Sequence, residues 1–346
     1  MMEPRQCRLK DQGFRPGSCT VQAGDHRAPA CRSTLKEDPK GLRRLISTIH
    51  LSRPENYLSI YQSGCNLACR KCHSWHFAKV RSGSWRRPHD ILRAAKQYDR
   101  HVTLMEPRQR ATAWHAQDSC RCCGACIIRG RPSAGCPGRL TPEQICFGPQ
   151  GFGPARNIVA FTGGDLTCCP EFYAQCAEQI KAHTRLWTLI ETNGYGLTAG
   201  NLDVLQQRGI DAFWLDIKAW NDKTHRWLTG GTNAHILKLP AEILERGFVL
   251  EVLSLYIPDV VEADQLEKIS RHLAAVDTGI PFTILAFFPE HRMSGYRAPT
   301  APEMISAYHS AKAAGLRHVR LGNLGVFART EADHELLSRQ VPIGDR

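Results

Sequence analysis

Residues 157–218 read NIVAFTGGDLTCCPEFYAQCAEQIKAHTRLWTLIETNGYGLTAGNLDVLQQRGIDAFWLDIK. The stretch alternates between two periods. Asn157–Phe161 is a short apolar run that ends at Gly163-Gly164, which reads as a buried strand followed by a turn. Pro170–His183 reads as a helix opened by proline, whose missing N–H has no intrahelical partner at that position anyway. Trp187–Glu191 is again a strand, Thr198–Arg208 a helix closed by Gly209, and Ala212–Ile217 a third strand. Strands alternating with helices predict a parallel sheet with right-handed crossovers.

The alternation continues in both directions. C-terminally come a helix within 233–246 followed by Gly247, a strand Phe248–Ile257 and a helix Val261–Val276. A strand Phe282–Phe287, a helix Ala301–Ala314 with Gly315 beyond, and a last strand Arg317–Leu321 complete the pattern. N-terminally, Tyr57–Gln62 alternates and stops at Ser63-Gly64. The expected fold is α/β, a partial (β/α)6 TIM-type barrel, with chemistry at the C-terminal ends of its strands. Residues 78–150 are rich in Arg, Cys, Gly and Pro with little period, and read as a Cys-rich insertion after the first strand. The expected division is a basic N-terminal extension at 1–55, the barrel at 56–327 and a tail at 328–346. MEPRQ occurs at Met2–Gln6 and at Met105–Gln109, too short to mark a repeat architecture.

Of 346 residues, 42% are hydrophobic and 23% charged, an ordinary globular balance that excludes collagen, coiled coil and wholesale disorder. No run of 18 apolar residues occurs, so no membrane partner is expected. The start lacks an apolar signal segment, which points to the cytoplasm, where clustered thiols serve as metal ligands or catalytic groups rather than disulfides. Fifteen Cys cannot all pair internally. The net charge of +12 comes from 45 Lys+Arg against 33 Asp+Glu; it permits a nucleic-acid partner, but a basic solvated surface is the favoured reading because long Lys/Arg runs are absent.

The sharpest chemical signal is Cys65-Asn-Leu-Ala-Cys69-Arg-Lys-Cys72, straight after the first strand. Three thiolates on eight residues can hold three corners of a cubane iron–sulfur cluster and leave one iron open to a reacting ligand. Zinc is the other reading, with His73 and His76 close by. The loop resembles that of the radical S-adenosylmethionine (SAM) enzymes, and over about residues 56–327 the chain is similar to the pyruvate formate-lyase activating enzyme and its relatives. Phe161-Thr-Gly-Gly-Asp165 resembles their TGGE segment, Glu191-Thr-Asn-Gly194 their DTNG, and Leu215-Asp-Ile-Lys218 their LDLK.

The resemblance implies a [4Fe-4S] cluster on Cys65, Cys69 and Cys72, with SAM on its open iron. It implies that Gly163, Gly164 and Asp165 receive the SAM amino group, and that Asn193 lies in the same site. A monovalent cation would sit among Glu191, Thr192, Asp216 and the carbonyl of Trp214, with Lys218 near the SAM carboxylate or ribose. The implied reaction is reductive cleavage of SAM to methionine and a 5′-deoxyadenosyl radical, which abstracts a hydrogen atom. The implied partners are a glycyl-radical enzyme as substrate and flavodoxin or ferredoxin as electron donor. Modification of another peptide or of RNA, and a non-catalytic iron–sulfur or zinc protein, are the rival readings.

Cys120, Cys123 and Cys126, followed by Cys136-Pro137, resemble a bacterial ferredoxin run, with Cys122 and Cys146 as further thiols. They are expected to bind a second [4Fe-4S] cluster, with structural zinc as the alternative. Cys7, Cys19 and Cys31 stand at equal intervals of twelve, which allows either one shared site or three unrelated thiols. Cys168, Cys169 and Cys176 read as small buried hydrophobes. Three positions depart from the family pattern. Glu191 replaces Asp, Lys71 stands where an aromatic is usual before the third cysteine, and Phe287-Phe288-Pro289 occupies a usual His position, with His291 as the nearest substitute. The family's GPG-I-R-[ST] stretch is also absent, Ser52–Tyr57 standing in its place.

Overall fold

The computed structural model describes residues 7–16 and 18–346; the Met2–Gln6 copy of MEPRQ lies outside them. Seven strands run parallel, each paired with the next in chain order: β1 (Tyr57–Gln62), β2 (Ile158–Gly163), β3 (Trp187–Thr192), β4 (Ala212–Asp216), β5 (Val249–Tyr256), β6 (Phe282–Ala286) and β7 (Val319–Gly322). This is the expected mixed α/β fold with a parallel sheet. Among the described residues no pairing closes β7 back onto the other edge.

Helices connect successive strands, most of them at the expected segments. They are α1 (Pro88–Asp99), α2 (Glu171–His183), α3 (Ala199–Gln207), α4 (Asp222–Thr229), α5 (Leu239–Glu245), α6 (Ala263–Val276) and α7 (Ala301–Ala313). Two of these, α1 and α4, lie where no helix is expected. Residues 78–150 are therefore not irregular throughout: α1 carries a capping box, in which the Arg87 N–H donates to Asp90, and buries Ile91, Ala95 and Tyr98 on one face. Asn221 caps α4 by accepting from the N–H groups of Lys223 and Thr224.

Gly41–Ser52 runs antiparallel to β1, with Ile49 opposite Ile60, and Leu35–Asp38 and Ser84–Arg86 pair with it in turn. The boundary expected at residue 55 thus falls inside a sheet. Arg44 and its neighbour Arg43 hide the strand signal in the sequence. Arg44 is fully buried, with Nη1 donating to Tyr173 Oη (3.1 Å) and Nη2 to Gly164 O (3.3 Å). A buried guanidinium needs such partners, because an unpaired one is costly.

The sheet separates two apolar layers. The larger packs Ile60, Phe161, Ile190 and Phe213 against the helices. The smaller joins Tyr57, Ile158, Ala160, Leu189 and Ala212 on the opposite face and is filled by Ala111 from the 106–114 segment. Each buried Leu or Ile stabilises the fold by about 1.5–3 kcal/mol. Arg156, fully buried, holds that segment in place: its guanidinium meets Glu106 and donates to Thr112 O (2.8 Å), Arg110 O (2.6 Å) and Glu55 O (3.1 Å). No helix among the described residues is long and apolar enough to cross a membrane.

Candidate active site

The Cys65–Cys72 loop leaves β1 through Gly64, whose φ of +83° favours glycine. Its backbone is anchored from several directions. Asn66 N–H donates to Asp165 O (2.9 Å), Ala68 N–H to Thr229 O (2.8 Å) and Arg70 N–H to Leu228 O (2.7 Å). The Asn66 side chain donates to Tyr195 O and accepts from Asn193 Nδ2 (2.8 Å), which also lies 3.6 Å from Cys65 Sγ. The three thiols are near enough to act on one another electrostatically. Burial raises the Cys69 pKa, opposed by the Lys218 charge and reinforced by Cys65 and Cys72. Cys72 is pushed up to about 11 by burial and Cys65, against the charges of Lys218 and Lys79.

Soft thiolates with flanking ammonium groups suit a polynuclear iron site. Among the described residues no three His, Cys, Asp or Glu side chains converge at single-ion distances.

The predicted rim residues fall into two groups. The first is tied to the loop. Asp165 accepts from Thr167 N–H (2.8 Å) at one oxygen, and from Thr192 Oγ1 (2.7 Å) and Asn193 N–H (2.8 Å) at the other. Its carboxylate therefore clips the β2 and β3 ends together. Gly163 adopts φ +84° with Phe77 close by, and a Cβ on Gly164 would collide with the backbone of Gln62 and Gly64. The glycine edge admits the chain's own cysteine loop.

The second group lies further along the rim. Lys218 is ion-paired with Asp216. Burial opposes its charge, yet the Asp216 carboxylate and Cys69 raise its pKa well above the ordinary value. Asp216 Oδ1 and Trp214 Nε1 are buried without a protein partner, as atoms that face a ligand would be. Glu191 accepts from Tyr57 Oη (2.8 Å) and Thr162 Oγ1 (2.5 Å); burial lifts its pKa to about 8. The oxygens expected around a cation thus have separate neighbours: Thr192 meets Asp165, Glu191 meets Tyr57 and Thr162, and Asp216 meets Lys218.

Three contributors are not evident in the sequence reading. Asn66 is visible there only as a polar residue between two ligands. Glu251, buried on β5, accepts from Trp114 N–H (2.9 Å) of the filling segment, and burial raises its pKa to about 7. Glu290 pairs with Lys71 (2.5 Å). The Lys71 ammonium also lies 3.4 Å from the Phe288 ring centroid, so aromatic contact at that position comes from across the chain. His291 stacks on Trp75 at 5.2 Å.

Among the second set of thiols, the contacts join Cys122 to Cys120, while Cys146 meets Arg53 and Gly153. Cys120 Sγ accepts from Cys122 N–H (3.3 Å), Cys122 Sγ donates to Asn56 Oδ1 (3.3 Å), and Arg53 Nη2 donates to Cys146 Sγ (3.4 Å). Cys123 is exposed beside Ser133, while Cys126 and Cys136 are half-buried.

The sequence profile of the radical SAM superfamily matches residues 121–273, a span that contains the Gly163–Asp165, Glu191–Gly194 and Asp216–Lys218 segments and begins after the Cys65–Cys72 loop. A Methanocaldococcus jannaschii protein, named provisionally as a glycyl-radical enzyme activating enzyme, is 26% identical over 125 residues, or 35% of this chain. The match spans about half of that relative, 47% of its length. Among solved structures, a domain of pyruvate-formate lyase-activating enzyme from Bacteroides vulgatus is similar with a TM-score of 0.41 at 17% identity, covering 48% of this chain and 98% of that one. Streptococcus suis SuiB is similar with a TM-score of 0.45 at 14% identity, covering 77% and 50%.

Proposed function

We propose that this chain is a radical SAM enzyme whose cluster is held by Cys65, Cys69 and Cys72. The observation that carries the reading is the thiol loop itself, hydrogen-bonded to the Asp165 and Thr229 carbonyls and faced by Lys218. A [4Fe-4S] cluster and SAM, bound together, supply a 5′-deoxyadenosyl radical that abstracts a hydrogen atom.

The protein's own groups then have definable work. Lys218 and Lys79 offset the negative charge of the Cys69 and Cys72 thiolates. The Asn193 amide, 3.6 Å from Cys65 Sγ, supports one ligand from behind. Asp165 holds Asn193 in place through its N–H. Asp216 Oδ1 and Trp214 Nε1 offer an acceptor and a donor to the nucleotide or to a cation beside it.

The substrate we propose is a glycine Cα–H of a partner glycyl-radical enzyme, with flavodoxin or ferredoxin as electron donor. The name of the M. jannaschii relative supports this substrate class. Anoxic assembly with iron and sulfide, followed by SAM and dithionite, tests the chemistry. The reading requires 5′-deoxyadenosine and methionine in equal amounts. Zinc in the Cys65 loop, or no cleavage of SAM by iron-replete protein, would overturn it.

A further inference from the structure

The N-terminal thiols are brought to one place by the fold. Thr20–Ala23 and His26–Pro29 form a hairpin closed at Gly24-Asp25, with Thr20 opposite Pro29. One step beyond that pair, Ala30 N–H donates to Cys19 O (2.6 Å), so Cys31 emerges beside Cys19. The interval of twelve between them is the length of this hairpin.

Cys7 arrives on the helix Arg8–Asp11, which it precedes directly. That helix lies on the turn after Asp165. Arg8 pairs with Glu171 (2.5 Å), Gln12 Nε2 donates to Cys168 O (3.3 Å), and a Cβ on Gly196 would meet both Leu9 and Cys168. Cys19, Cys168 and Cys169 belong to one packed layer, with Cys7 and Cys31 against it. Burial pushes the Cys31 thiol up to about 11, reinforced by Cys169, Cys19 and Cys7 in that order.

We propose that Cys7, Cys19, Cys31 and Cys169 hold a further iron–sulfur cluster, next to the Cys65 loop. Four sulfur donors with no His among them form a closed, soft ligand set. Two contacts place this group close to the Cys65 loop: Lys79 Nζ reaches both Ser18 O (2.9 Å) and Cys65 O (3.4 Å), and Cys169 follows four residues after Asp165, whose carbonyl holds Asn66. The cluster ties residues 7–31 to the β2–α2 turn. This does not depend on the reaction proposed for the Cys65 loop, because none of its four ligands is shared with it.

Full-length protein, assembled anoxically with ferrous iron and sulfide, provides the test. Iron per chain in the wild type is compared with that in Cys31→Ser and Cys169→Ser. The expected result is a loss of about four irons per chain, the content of one cubane, while the spectral response to SAM of the Cys65 site persists. A second readout needs no variant. Cys7 and Cys31, half-buried, should resist N-ethylmaleimide in the loaded wild type and react after the iron is chelated, as read by peptide mass spectrometry. Unchanged iron in both variants, loss of one zinc instead, or labelling of Cys7 and Cys31 in iron-loaded protein would each overturn the proposal. Failure of SAM cleavage with this iron retained would count against the Cys65 reaction alone.

Discussion

The Cys65–Cys72 loop and the Cys120–Cys146 stretch are both dense in thiols, but they are built differently. The first is eight residues long, leaves a buried strand, and donates backbone hydrogen bonds to the carbonyls of Asp165, Leu228 and Thr229. The second spreads over short turns, a four-residue helix and a small hairpin, with Cys123 exposed. Its order depends on Arg53, whose guanidinium donates to Asn56 Oδ1 (2.7 Å), Pro154 O (2.7 Å), Gly153 O (3.0 Å) and Cys146 O (3.2 Å). A site that must hold a reacting ligand needs rigid support, whereas a closed or peripheral thiol group can rest on one cation.

The sharpest break of this contrast is Cys69→Ala. It should reduce 5′-deoxyadenosine formation to background, while Cys123→Ser leaves SAM cleavage measurable. Equal loss in both would erase the division between the regions. Next in size is Asp165→Ala, which removes the acceptor of three buried donors and should cost about 3 kcal/mol of stability in urea titration. A cost below about 1 kcal/mol would mean that the clip is not what holds the first region together.

Arg53→Ala should cost less, about 1–2 kcal/mol, because its guanidinium is only partly buried. Hydrogen exchange should accelerate in 146–153 and stay unchanged in 65–72. Uniform acceleration would deny the second region its separate support. The smallest effect concerns reactivity alone. In metal-free protein the Cys122 thiol is held below the usual 9.0 by Cys120, Asn56 and Arg53, against burial, whereas burial raises Cys72. The thiolate reacts, and it is populated above the pKa. Iodoacetamide at pH 8 should therefore modify Cys122 before Cys72, and the reverse order would show that the environments have been misassigned.

Much of this was legible in the chain. Each parallel strand from Tyr57 to Leu321 carries its own short-period signal, and the Gly and Pro residues around them mark the turns. The strand at 41–52 was not, because Arg43 and Arg44 interrupt its apolar pattern and Arg44 finds its partners in Tyr173 and Gly164. Helix α1 was masked by the arginines around it, although Arg87-Pro88 and Asp90 form a readable start signal. Glu251 and Glu290 carried no signal, since their partners Trp114 and Lys71 lie far away in the sequence.

The sequence alone determined the α/β alternation and the three-thiol loop, because periodicity, turn residues and ligand spacing act over a few neighbouring positions. The tertiary structure decided which distant groups meet: Asp165 with Asn193, Arg44 with Gly164, and Lys71 with Glu290. Such pairings follow from strand register and helix packing, which only the assembled sheet defines.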